Sequence, residues 1–314
     1  MTEKEVQFGE KGQLFGSLTY PATSPVALPA ILIIAGSGPL DRNGNGTKPG
    51  QSFHLYNQLA AFLTESGFIV LRYDKRGTGK SHGDFLKTGF WDLIDDAKSA
   101  LHFLQAQPIV DRHKIFVLGH SEGCMLASEV AKGEGLAGLI FLAGAAQSLA
   151  EAQNYQRDLM ANSLKKIKGA KGTLIRLLNV GDKVQKQGQK FDRKVSLAKR
   201  DVIRYQGVKI NAKWFKEHYE YDIYQSLAQV DCPILAVTGS KDVQVAPKQV
   251  YEVGKYTTAE TETYLIKGMN HMLRDQNEQA DILQLKKVYK NIGEKPISEE
   301  LLTVVKNWLN RYVY

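Results

Sequence analysis

Residues 114–131 read KIFVLGHSEGCMLASEVA: six residues of strand character, a turn bounded by Gly119 and Gly123, then a helical run of small and apolar side chains. The turn Gly119-His120-Ser121-Glu122-Gly123 fits G-x-S-x-G, and its setting between a strand and a helix gives the pattern meaning. So sharp a reversal would drive side chains at both flanking positions into the neighbouring strand and helix; glycine removes them. Ser121 is then lifted clear at a helix N-terminus, where free amides and the helix dipole favour a developing negative charge. Cys124, Ala127, Ser128 and Ala131 fall on one side of that helix, and small residues there let it pack close to the strands. The same letters also fit a glycine-bounded turn with an incidental serine, so the surrounding chain decides between the two.

On either side, strand and helix alternate. Residues 4–8 and 13–20 form an antiparallel hairpin across a glycine-containing turn. Residues 29–35 (PAILIIA) and 68–73 (FIVLRY) are continuous apolar runs, as strands buried on both faces require. Helices are expected over 51–66 and over 91–107, the latter ended by Pro108. Downstream, 139–143, 233–238 (PILAVT) and 263–266 read as strands, with a short helix after Pro247. Ser298 caps a final helix that carries Glu299 and Glu300 in its first turn and Leu301, Val305, Trp308 and Tyr312 on one face. This order implies the α/β class, a mostly parallel sheet covered on both sides. Residues 147–227 break the rhythm. They are rich in Lys, Gln and Asn, with Leu174, Leu177, Leu178, Val195, Leu197 and Ile203 at helical spacing. We read them as a helical insertion over one end of the sheet, which leaves 1–146 and 228–314 as the core domain.

With its elbow and its alternating elements, the sequence resembles the α/β-hydrolase superfamily, especially the bacterial serine esterase and lipase-like branch with a helical cap. The resemblance covers nearly the whole chain and is weakest over 147–227. It implies an α/β-hydrolase fold with a central sheet of about eight strands and an inserted helical cap. In that family nucleophile, acid and histidine follow in this chain order, and each has a match. Asp242 lies in the turn after PILAVT (Gly239-Ser240-Lys241-Asp242), and His271 in the turn after 263–266 (Gly268-Met269-Asn270-His271). Both turns sit at C-terminal strand ends, the edge where open α/β sheets bind ligands. Ser121 needs a base for its proton and a carboxylate to hold the imidazole. Among the other histidines, His120 neighbours Ser121 but projects elsewhere; His54, His82, His102, His113 and His218 are assigned to packing or surface. Asp231 precedes its strand and Asp222 belongs to the insertion. The resemblance further implies an oxyanion hole from the backbone N–H groups of Glu122 and Ser37. Many members carry His-Gly where this chain has Ala35-Gly36-Ser37-Gly38; the departure loses a histidine side chain and keeps the backbone donor. Asp41-Arg42-Asn43-Gly44-Asn45 is similar to a pattern of one bacterial esterase branch and is expected to order its loop. The stretch Asp74-Lys75-Arg76-Gly77-Thr78-Gly79-Lys80-Ser81 looks like the structural D-x-R-G-x-G-x-S loop of the superfamily.

Other classes are set aside residue by residue. Gly77-Thr78-Gly79-Lys80-Ser81 ends like a P-loop, but the first glycine of that motif falls on Asp74. A dinucleotide fingerprint beginning at Gly36 meets Asp41 where a glycine is needed. No histidine–carboxylate cluster has metal-ligand spacing, so neither metal nor cofactor is expected. The 314 residues contain two cysteines, too few for a disulfide framework. Residues 136–146, the longest apolar stretch, are short of the ~18–20 a spanning helix needs. The start MTEKEVQF lacks an export-signal pattern, and a cytoplasmic protein with no membrane span is expected. The net charge is +8, yet residues 164–216 hold sixteen Lys and Arg against three acids. A solvated basic face of the insertion accounts for this, with steering of anionic substrates as the sharper reading; no nucleic-acid-binding fold accompanies it. The expected partner is a small-molecule ester. Thioesters, peptides or an acyl acceptor other than water stay open, as does a ligand-binding protein on a hydrolase scaffold. Tyr155, Tyr205, Trp214, Phe215 and Tyr219 either line a substrate pocket or form the insertion's own small core.

Overall fold

Alternation in the sequence becomes two layers of helices around one sheet. The computed structural model describes residues 1–22, 26–144 and 146–313, so Ala145 of the apolar stretch lies outside them. The chain enters through β1 (Thr2–Phe8) and β2 (Leu14–Tyr20), then runs β3 (Leu28–Ile34), α1 (Leu55–Glu65), β4 (Ile69–Tyr73), α2 (Phe90–Gln105), β5 (Val110–His120), α3 (Glu122–Val130) and β6 (Gly138–Leu142). Next come α4 (Leu149–Lys165), α5 (Gly169–Leu177), α6 (Val180–Ser196), β7 (Val202–Tyr205), β8 (Val208–Asn211), α7 (Ala212–Glu220) and α8 (Ile223–Leu227). The sheet resumes with β9 (Ile234–Gly239) and β10 (Thr261–Ile266), and the chain ends through α9 (Leu285–Val288) and α10 (Glu299–Val313).

Among the described residues the main sheet has eight strands in the order β1-β2-β4-β3-β5-β6-β9-β10. The β1–β2 hairpin is antiparallel and joins β4 antiparallel; from β4 to β10 every neighbour is parallel. Successive side chains of a strand point to opposite faces. Accordingly Leu32 and Ile34 of β3 pack with Leu93 and Leu126 from α2 and α3, while Ile31 and Ile33 pack with Leu59 and Trp308 from α1 and α10. The strand β5 lies between β3 and β6 near the middle, so its C-terminal end is flanked on both sides by strand ends. That is where the elbow sits.

Three expectations change. The first helix begins at Leu55 rather than near residue 51, because His54 takes a left-handed backbone (φ 49°) just before it. The segment after Pro247 is a 3₁₀ helix (Pro247–Lys255). The insertion is not wholly helical: β7 and β8 form a hairpin, with Ile203 in a strand, turning at Gln206 (φ 48°) and Gly207 (φ 82°). Two positive φ angles in succession are what a tight hairpin turn with the sheet's own twist requires. Leu174, Leu177, Leu178 and Leu197 keep their helical spacing, yet all four are exposed. Among the described residues no helix is long and apolar enough to cross a membrane.

Candidate active site

The elbow's geometry follows from its two glycines. A Cβ on Gly119 would lie 2.2 Å from the Gly123 carbonyl oxygen, and one on Gly123 2.2 Å from the Ile34 carbonyl oxygen. Neither contact can exist, so strand, helix and the adjacent β3 close up only with glycine at both places. Ser121 itself is held at φ 55°, ψ −119°, a strained conformation for a serine. Its N–H donates to the Leu142 carbonyl (2.9 Å), which anchors the turn to the end of β6.

Three distant segments meet there. Ser121 Oγ lies 3.1 Å from His271 Nε2, and His271 Nδ1 lies 2.7 Å from Asp242 Oδ2. The other carboxylate oxygen of Asp242 accepts the N–H groups of Gln244 (2.8 Å) and Val245 (2.9 Å), and Tyr155 of α4 donates its hydroxyl to the Asp242 carbonyl (3.2 Å). Both Asp242 and His271 are buried. A carboxylate only accepts, so Nδ1 carries the hydrogen and Nε2 presents its lone pair to the serine hydroxyl.

His120 points away from the serine, as expected, but it belongs to the site. Gly36 N–H donates to the Tyr56 hydroxyl oxygen (2.7 Å), Tyr56 stands 3.1 Å from His120 Nδ1, and His120 Nε2 stands 2.9 Å from the His271 carbonyl oxygen. A carbonyl only accepts; Nε2 therefore carries the hydrogen and Nδ1 accepts from Tyr56. Burial above all pushes the His120 pKa down to about 3, which keeps this ring neutral. The relay thus runs in one direction, from the Gly36 loop to the backbone of the His271 turn.

A second network braces the same loop. Lys75, in the turn after β4, donates to the Gly36 carbonyl (2.7 Å) and to Glu122 Oε2 (2.7 Å). Gly36 C=O and Ser37 N–H are the two ends of one trans peptide unit, so fixing the carbonyl aims the amide. Glu122 Oε1 accepts the Trp214 indole N–H (2.5 Å) and lies 2.9 Å from His218 Nε2, both from α7; the His218 contact is close but poorly aligned for a hydrogen bond. Burial alone would raise the Glu122 carboxyl, but Lys75 and then His218 hold it down at about 2. One buried carboxylate therefore ties the elbow, the Gly36 loop and the insertion together.

Sequence reasoning misses this brace, since Lys75 falls inside a structural motif and His218 reads as a packing or surface residue. The expectation for the Asp41–Asn45 turn holds. Asp41 Oδ1 accepts the N–H groups of Asn43 and Asn45, and Arg42 pairs with the buried Asp74 (2.7 Å). The aromatic residues of the insertion divide between the two readings. Phe215 packs on Phe191 and Tyr219, and Phe191 on Tyr205, as a small core. Trp214, which also packs on Phe215, lines a cavity at Ser121, and Tyr155 reaches Asp242.

Two cavities open beside the serine. One, of about 750 Å³, includes Ser37, Ser121, Gln244 and His271 in its walls; the other, of about 90 Å³, includes Ser37, Ser121, Glu122, Trp214 and Gln244. Ser37 and Glu122, the expected amide donors, thus both border space next to Ser121.

Comparison with known proteins agrees with this architecture. The family model described as serine aminopeptidase, S33 (Hydrolase_4) matches residues 49–279. Esterase EstD of Thermotoga maritima is 28% identical over 233 residues, covering 74% of this chain and 51% of that protein. Polyketide transferase af380 of Aspergillus fumigatus is 34% identical over 104 residues, 32% of this chain and 33% of that one. The chain therefore spans about half the length of the first relative and a third of the second. Est1E from Butyrivibrio proteoclasticus shares the fold at a TM-score of 0.60 and 16% identity over 98% of both chains. A match across that much of the sequence, on a sheet of this order, makes the chain a member of the serine aminopeptidase S33 family of α/β hydrolases.

Proposed function

We propose that the protein is a serine hydrolase that cleaves carboxylic esters through an acyl-enzyme. The observation that carries this reading is the unbroken hydrogen-bonded line from Ser121 Oγ through His271 to the Asp242 carboxylate. Ser121 Oγ attacks the ester carbonyl carbon while His271 Nε2 takes the hydroxyl proton. The carbonyl electron pair moves onto oxygen, which the N–H groups of Ser37 and Glu122 receive; each such donor contributes about 2.7–4 kcal/mol. Asp242 stabilises the imidazolium. Collapse expels the alcohol oxygen, which takes its proton from His271. Water, deprotonated by the same nitrogen, then attacks the acyl carbon and frees the acid and Ser121. In this reading residues 1–146 and 228–314 are the catalytic core and 147–227 a cap, whose α4 and α7 reach Asp242 and Glu122. The reading includes a cytoplasmic setting, which the buried free thiols Cys124 and Cys232 suit.

EstD and Est1E are named esterases, whereas the family description names an aminopeptidase. An aminopeptidase must meet a free α-ammonium with a carboxylate. Among the described residues lining the two cavities, Glu122 is the one acidic side chain, and Lys75, Trp214 and His218 already occupy it. That favours esters. The test is labelling by a fluorophosphonate probe together with hydrolysis of p-nitrophenyl acetate, in wild type and Ser121→Ala. Wild type should label and turn over, and the variant should do neither. Labelling that persists in the variant, or a labelled wild type that hydrolyses no ester, refutes the reading.

A further inference from the structure

The division of space around Ser121 points to a substrate class, an inference that rests on the ester-hydrolase reading. Both cavities share Ser37, Ser121 and Gln244; only the larger one includes His271, and only the smaller one includes Glu122. In acylation His271 hands its proton to the leaving oxygen, so the alcohol must lie in the cavity that His271 lines. The acyl group, with its carbonyl oxygen toward the amides of Ser37 and Glu122, is left with the other. That space, about 90 Å³, is walled by Met125, Leu149, Ala152 and Trp214. It is well under the roughly 150 Å³ in which an engineered cavity holds benzene. Its size suits a short chain better than a ring.

The alcohol side is different in size and charge. Its volume of about 750 Å³ takes a bulky group, with Phe53 and Tyr289 offering aromatic wall. Lys48, Lys286 and Lys290 also line it, all exposed, and no Asp or Glu does so among the described residues. None of the three lysines has an ion-pair partner among the described residues. Cations without counter-charges around an apolar cleft suit an anion. We propose that the substrate is an ester of a short acyl acid, of about two to four carbons, with a large alcohol that carries a negative charge.

Two substrate series test this. The acetate, butyrate and octanoate of p-nitrophenol vary the acyl group at one alcohol. The pair 6-acetoxy-2-naphthoate and its uncharged carboxamide vary charge at one acyl group. From butyrate to octanoate kcat/KM should fall at least tenfold, since misfitting one methylene alone costs roughly 10- to 200-fold. Leu149→Ala should extend the accepted chain and Ala152→Leu shorten it. Both positions are partly exposed, so neither variant disturbs the core. The naphthoate should be preferred roughly fivefold at low salt, the scale of a few exposed charges. The Lys286→Ala and Lys290→Ala double variant, or about 1 M salt, should erase that preference. Octanoate cleaved as well as butyrate, or a naphthoate preference that is absent or survives the double substitution, overturns the proposal while ester hydrolysis stands. Failure of the underlying reading looks different: no ester is turned over and Ser121 is not labelled, and the proposal falls with it.

Discussion

Replacing Lys75 with methionine removes one charge, keeps most of the side chain's length, and strands a buried carboxylate. The Lys75 and Glu122 side chains are each 4% exposed and meet at 2.7 Å. Holding the Glu122 carboxyl at about 2 rather than at its ordinary 4.5 contributes roughly 3 kcal/mol at neutral pH. Because the folded-state value is the lower one, that contribution is complete above about pH 4.5 and is lost as the pH falls toward 2. Lys75→Met should therefore cost about 3–5 kcal/mol at pH 7, the range for breaking a buried pair from one side. Glu122→Gln should also destabilise, by leaving the buried ammonium without a counter-charge. The double variant strands no charge, so its loss should fall short of the summed single losses by more than about 1 kcal/mol. Urea unfolding of the four proteins at pH 7 measures this. Single losses that add to within about 0.5 kcal/mol would show two independent side chains and refute the brace.

The same variant reads the brace in catalysis. Lys75 holds the carbonyl of the peptide unit whose other end is Ser37 N–H, so Lys75→Met should misaim a proposed oxyanion donor. The loss in kcat is bounded by the 10²–10³-fold that deleting such a donor costs, with KM little changed. A variant that folds and keeps wild-type kcat would separate Lys75 from the oxyanion loop.

Four other substitutions probe the remaining parts. Because burial lowers the His120 pKa from 6.5 to about 3, the unfolded chain binds a proton that the folded one refuses in that window. Stability should then fall on acidification below pH 6.5, by up to about 1.4 kcal/mol per pH unit, and the wild-type slope between pH 6.5 and 4.5 should exceed that of His120→Gln by this amount in urea titrations. Asp242→Asn keeps the volume and an oxygen for Gln244 and Val245 but offers Nδ1 an amide; kcat should fall about 10⁴-fold with thermal stability little changed, as steady-state kinetics and a melt together show. Gly123→Ala puts a Cβ 2.2 Å from the Ile34 carbonyl oxygen and should yield no folded protein, whereas Gly133→Ala, at φ 74° with open space around it, should lose only about 1–2 kcal/mol in thermal melts.

Why the elbow was legible and the brace was not comes down to where each constraint acts. Gly119 and Gly123 are demanded by contacts within a few residues or with the neighbouring strand, so the spacing alone carries the geometry. Asp242 and His271 could be placed because each follows a strand whose apolar run is plain, and a parallel sheet brings such strand ends to one edge. Helical spacing was a weaker guide in the insertion. Leu174, Leu177 and Leu178 do lie on helices or their ends, but periodicity says how residues line up and nothing about whether a neighbour covers them. The β7–β8 hairpin had a local signal, alternation on both sides of Gln206-Gly207, that the basic composition obscured. Lys75, Glu122, Trp214 and His218 offered none. Lys75 and Glu122 stand where their motifs accept any residue, and Trp214 and His218 in no motif, because the requirement they meet is electrostatic and three-dimensional: a carboxylate placed beside the nucleophile by the elbow must be neutralised once it is buried. The groups that do so are the Lys75 ammonium, from the turn after β4, and the Trp214 indole N–H and His218 ring of α7, the two bodies of chain that close over the elbow. Burying that charge makes the seating of the insertion and the aim of the Ser37 amide parts of one network, so a substitution at Trp214 should be felt at the oxyanion loop as well as in the cavity it lines.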